Sequence, residues 1–129
     1  MNGTFKRFTP KDKFDIDTVD KIKGLNREEI IFLLPKLLEW IQDMNWVIAP
    51  KIAELLLNFP NEIIPHIRKV FETEDDIWKF WCLEVLVKKL PSESITMLKN
   101  DLIRLAEKPS EGEKLEEVDV KTKEILIQL

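Results

Sequence analysis

The side chains in this chain that could do chemistry are four tryptophans, the acids of two apparent corners, one histidine and one cysteine. Trp40 and Trp46 flank Asp43-Met44-Asn45, and Trp78 and Trp81 follow Asp75-Asp76. Aromatic rings beside acids suit a protein-binding surface, where the rings supply apolar area and the acids fix orientation. This pattern points to Trp46, Trp78, Asp43, Asn45, Asp75 and Asp76 as partner-binding residues. The same residues also have structural uses. A Trp ring buries about 150–250 Å² between helices, and Asp or Asn at a corner caps the helix that follows.

Catalysis has less support. Glu39 lies one turn before Asp43, but no second acid pair at a useful spacing supports metal or acid–base chemistry. His66 is the only histidine, and the serines at 92, 94 and 110 are not placed to form a triad with it. Cys82 sits in the apolar run Phe80-Trp81-Cys82-Leu83 and is expected to be a small core residue. There is no Gly-rich phosphate loop and no ligand-spaced Cys/His cluster. The expectation is therefore no catalytic residue, no metal site and no cofactor.

The elements that must position these residues read as helices. The chain has 129 residues, three Gly and no Tyr, and is 44% hydrophobic and 34% charged. That composition suits one all-α domain over 1–129. An arm over 1–13, pinned by Phe5, Phe8 and Phe14, precedes a short helix over 15–23. Asp15 caps that helix, and Gly24 is expected to end it in a left-handed conformation. Asn26 and Glu29 spell a capping box, followed by an apolar stripe at 30, 34, 37, 41 and 44. Pro35 inside that stripe predicts a kink or a split near Leu34. Asn45 is expected to cap a helix over 46–58, and Asn61 the next. Asp75 or Asp76 would cap a strongly apolar helix over 77–90. A single helix should open at Pro91 or Ser92, with Ile95, Leu98, Leu102 and Leu105 inward. Residues 108–113 read as a loop. A last helix over 116–128 would turn Val118, Thr122, Ile125 and Leu129 inward.

Leu33-Leu34-Pro35 returns as Ile63-Ile64-Pro65, an offset of 30, and Phe59-Pro60-Asn61 returns as Leu90-Pro91-Ser92, an offset of 31. Helical pairs at a fixed period are the mark of an α-solenoid. The expected fold is a short α-solenoid of about three HEAT-like hairpins over 26–59, 61–90 and 92–129.

Several stretches resemble a family of small bacterial proteins of unknown function. They are Pro10-Lys11-Asp12-Lys13-Phe14-Asp15, Leu34-Pro35 through Leu38-Glu39-Trp40 to Asp43-Met44-Asn45-Trp46, Ile64-Pro65-His66-Ile67, Asp75-Asp76-Ile77-Trp78-Lys79 and Glu111-Gly112-Glu113. The resemblance spans nearly the whole chain. It implies a small HEAT-like helical domain and no particular activity.

The net charge of −4 argues against a protein that binds by neutralising phosphates. No apolar run reaches the ~18–20 residues needed to span a bilayer, and no secretion signal is visible. A lone cysteine suits a reducing cytoplasm. The functional expectation is a non-enzymatic protein–protein interaction module of the immunity or antitoxin-like kind, with an unidentified protein as partner. The alternatives are a nucleic-acid binder, which would gather Lys36, Lys51, Lys79, Lys88 and Lys89 on one face, and an enzyme with a polar pocket around His66 or Glu39 and Asp43.

Overall fold

The structure, a computed structural model, describes residues 8–129; the part of the arm over 1–7, with Phe5, lies outside them. The described residues form nine α-helices and two short 3-10 segments, with no strand. No helix among them is long and apolar enough to cross a membrane.

Helix α1 (Ile16–Lys23) starts where the Asp15 side chain accepts from the Thr18 amide, and it buries Val19 and Ile22. Gly24 follows it with φ −83°, in the right-handed region. The expected left-handed stop is not used. The Gly24 amide instead closes a tight last turn on the Lys21 carbonyl, and the chain leaves through an extended Asn26.

Helix α2 (Arg27–Leu38) opens with the full Asn26/Glu29 capping box. It runs through Pro35 without a break, then tightens into a 3-10 turn (Glu39–Ile41). Helix α3 (Ala49–Leu56) begins later than the corner predicts. Asn45 is not its cap: Ile48 holds the cap position with no side-chain bond, and the Asn45 amide closes a local turn on Asp43 Oδ1 at 2.8 Å. Pro50 sits in the first turn of α3, where a missing N–H removes no intrahelical bond. Helix α4 (Ile64–Phe71) repeats this device with Pro65. Asn61 does not cap it either; the Asn61 side chain accepts from Ser94 Oγ at 2.8 Å.

Helix α5 (Asp76–Val85) is capped by Asp75, which accepts from the Trp78 amide at 3.0 Å. It stops at Leu86 (φ −118°, ψ −70°), short of the expected Leu90, and a 3-10 turn (Val87–Lys89) completes the stretch. The helix expected after Pro91 is two: α6 (Ser92–Thr96) and α7 (Lys99–Glu107), separated at Met97 and Leu98. The expected loop over 108–113 is half helix. Ser110 and Glu113 form a second capping box that opens α8 (Glu111–Leu115). Helix α9 (Val118–Ile127) follows a left-handed Glu117 at φ 59°. It buries Val118, Thr122 and Ile125, but Leu129 is 46% exposed rather than inward.

One buried cluster runs from Val19 and Ile22 to Val118 and Ile125. Helix α2 packs on α3 and α4, α4 on α5, and α5 and α7 on α9. Full burial of each Leu or Ile contributes about 1.5–3 kcal/mol. Cys82 is among them, and burial pushes its thiol pKa upward.

The two copies of the Leu-Leu-Pro pattern are not structural equivalents. Pro35 lies near the end of α2, whereas Pro65 lies at the start of α4. The Pro60 and Pro91 copies agree better, since each lies in the connection before a new helix: Pro91 directly before Ser92, and Pro60 in the turn that leads to Ile64.

Candidate functional site

A depression of about 830 Å³ forms where α2, the turn after it and the stretch around Pro10 meet. One local and one long-range hydrogen bond fix that stretch: the Lys11 amide donates to Asp15 Oδ2 at 2.9 Å, and the Ile48 amide donates to the Lys13 carbonyl at 3.1 Å. Trp40 and Trp46 line the depression edge to face, with ring centres 5.6 Å apart and planes at 68°. Phe32, on the outer side of α2, lines it too and is 64% exposed. Lys11, Lys36, Glu39 and Gln42 make its polar rim.

Glu39 and Gln42 also line a smaller depression of about 300 Å³, together with His66, Lys69, Thr73 and Trp78. The Trp78 ring is half-buried, and its Nε1–H donates to the Leu38 carbonyl at 3.1 Å. Burial, and then the Lys69 charge, lower the pKa of His66 and favour its neutral form.

Thr73 is shared in turn with a third depression of about 700 Å³. Its lining carries Glu72, Glu74, Asp76, Asp101 and Glu113 against only Lys79 and Arg104. Most of these charges are paired. Lys79 is buried and donates to Asp76 Oδ1 and Glu113 Oε2, both at 2.9 Å. Arg104 grips Glu113 with both terminal nitrogens, at 2.7 and 3.0 Å, and the Ser110 amide adds a fourth bond at 2.8 Å. Burial alone would raise the Glu113 pKa, but donation from Arg104, the Ser110 amide and Lys79 outweighs it and holds the group at about 2. Asp101 pairs with Arg68 at 3.1 Å. Glu72 and Glu74 have no ion-pair partner among the described residues.

The six partner-binding candidates do not share one depression. Trp46 lies in the aromatic one and Trp78 in the small one next to it. Asp76 lines the acidic one and pairs with Lys79. Asp43 is taken up by its turn to the Asn45 amide, and Asp75 by the cap of α5. Glu39 and His66 do share a depression, whereas Asp43 is not in its lining. Not all five lysines of the nucleic-acid alternative reach the surface. Lys79 is buried, and Lys36, Lys51 and Lys88 sit within ion-pair reach of Glu39, Asp20 and Glu84. Among the described residues no group of three His, Cys, Asp or Glu could hold a metal ion.

Sequence reasoning missed Phe32, whose signal was a large aromatic side chain outside the inward stripe of α2. It also missed Glu113, whose signal was Ser110-x-x-Glu113, a capping box hidden among loop-forming residues.

Two stretches distant in sequence converge here. Gly112 packs so tightly on Asp76 that a Cβ at 112 would collide with the carboxylate. Glu113 reaches Lys79, 34 positions away. No curated protein matches the chain. A domain family of unknown function, DUF5071, matches residues 8–126, and the chain belongs to that family.

Proposed function

We propose that this chain is a non-enzymatic protein–protein interaction module, built as a short stack of three HEAT-like hairpins and acting in the bacterial cytoplasm. It would hold a partner along the groove that the three depressions make together, in the manner of an immunity or antitoxin-like protein. The observation that carries this reading is the aromatic depression. Large aromatic rings around an open concavity are the usual composition of an interface anchor. The shared rim residues Glu39, Gln42 and Thr73 extend that concavity into a longer track.

The stack is supported by a recurring spacing of polar contacts. Arg27 to Glu62, Asn61 to Ser94, Arg68 to Asp101 and Lys79 to Glu113 join residues 33–35 positions apart. A constant offset is what neighbouring repeats produce when each contacts the next.

Affinity capture from lysate with the full chain tests the reading, with Trp46→Ala as control. One stoichiometric protein retained by the wild type at moderate salt, and lost with the variant, is the expected result. Equal retention by both would sink the aromatic anchor.

A second reading, an enzyme, has one observation in its favour: His66 and Glu39 line the same small depression. A neutral His and a carboxylate lining one depression could take part in proton transfer to or from a bound ligand. It would be favoured by a small ligand that raises the melting temperature of the wild type but not of His66→Ala.

A further inference from the structure

The three depressions, linked through the shared lining residues Glu39, Gln42 and Thr73, change in chemistry from one to the next. One end is aromatic, with Trp40 and Trp46 edge to face. The other is acidic, with Glu72 and Glu74 unpaired among the described residues and the remaining acids already matched by Lys79, Arg104 and Arg68. The small depression between them is lined by Gln42, His66 and Thr73, side chains that can hydrogen-bond to a passing backbone, and by the opposite charges of Glu39 and Lys69.

We propose that the groove takes an extended segment of a partner protein that carries an apolar side chain at one end and an arginine or lysine at the other. The inference rests on the interaction-module reading and adds the chemistry of the partner. The apolar side chain packs onto the open side of the Trp40–Trp46 pair and against Phe32, where desolvation supplies affinity. The basic side chain reaches Glu72 and Glu74, where opposite charge fixes direction and rejects acidic competitors. An extended backbone suits the site because successive depressions, rather than one deep cavity, must be filled. A nucleic acid strand fits poorly, since its phosphates would have to pass the same two uncompensated carboxylates.

Three synthetic peptides of equal length test this with the full chain. One carries Leu at one end and Arg at the other, the second replaces Arg with Glu, and the third replaces Leu with Ser. Binding is read by amide and indole shifts in heteronuclear NMR. The Leu/Arg peptide should move the Trp46 indole signal and the amides of Glu72 and Glu74 together. The Leu/Glu peptide should bind at least about tenfold more weakly. The double variant Glu72→Gln/Glu74→Gln should erase that preference while leaving the Trp46 shift, which keeps the test independent of folding damage at the aromatic end.

If the Leu/Arg and Leu/Glu peptides bind equally and move only Trp46, the basic end of the proposal is overturned while the aromatic anchor stands. If no peptide moves Trp46, the groove reading itself fails. Self-association that Trp46→Ala abolishes would make a second copy the occupant and overturn the basic segment.

Discussion

Two glycines separate two different reasons for that residue. Gly24 has φ −83°, and a Cβ there would meet only the Lys21 carbonyl, at an ordinary 3.4 Å. Nothing in its conformation requires glycine, so Gly24→Ala should raise stability by about 0.4–1 kcal/mol through the unfolded chain. A loss above that size in a urea melt would mean that the backbone turns left-handed there after all. Gly112 is the opposite case. Its backbone is helical and would accept alanine, but the new Cβ would strike the Asp76 carboxylate. Asp76 would have to swing away from Lys79, whose Nζ it accepts from at 2.9 Å. Gly112→Ala should cost about 1–3 kcal/mol, the price of disturbing a buried charged hydrogen bond. In an Asp76→Ala background the same substitution should cost much less, because the obstacle is gone and alanine favours the helix. A double-mutant cycle by chemical denaturation checks this; additive costs would show that Asp76 is not what Gly112 accommodates.

At the scale of elements, Glu113 ties α8 to α5 through Lys79 and to α7 through Arg104. Its carboxyl sits near 2 in the fold, against an ordinary 4.5. A depressed carboxyl contributes stability that is complete above its unfolded pKa and is lost as pH falls through its folded one. The stabilisation should therefore drain away between about pH 4.5 and 2, amounting to on the order of 3 kcal/mol. Glu113→Gln should lack that component, so its stability falls less steeply over the interval. Denaturant midpoints across the range decide it, and parallel profiles for the two proteins would refute the role. At neutral pH, Glu113→Ala should cost about 3–5 kcal/mol, because it strips a partner from the buried Lys79. Caps built from adjacent residues were legible in the sequence: Asp15, Asn26 with Glu29, and Asp75 each answer to a local rule. So was the inward stripe of α2, whose Ile30, Leu34, Leu37 and the following Ile41 are buried. The Lys79–Glu113 pair was not, since neither residue carries a local sign of a partner 34 positions away. The breaks at Leu86 and at Met97 and Leu98 were also hidden. Their residues are good helix formers, so tertiary packing rather than propensity must end those helices.

For the molecule as a whole, the two tryptophans first singled out for binding have different expected costs. Trp46 lies half-buried at the aromatic depression, with its ring edge to face against Trp40. Trp78 spans two halves of the fold, because its indole N–H donates to Leu38, forty positions back, at the end of α2. Removing it leaves the Leu38 carbonyl without that donor and opens space between α5 and the turn after α2. Trp78→Ala should therefore approach the ~3–5 kcal/mol of a core aromatic truncation. Trp46→Ala should fall well short of that, since much of its ring already faces the depression. Trp78→Phe divides the Trp78 cost. It keeps most of the apolar area and removes the donor, so about 1–2 kcal/mol of the loss should persist. Urea unfolding of the three variants, followed by circular dichroism, gives the order. If Trp46→Ala proves as costly as Trp78→Ala, Trp46 is a packing residue and the aromatic depression loses its claim to be an anchor. If Trp46→Ala stays mild, binding lost in that variant reports on the groove and not on the fold.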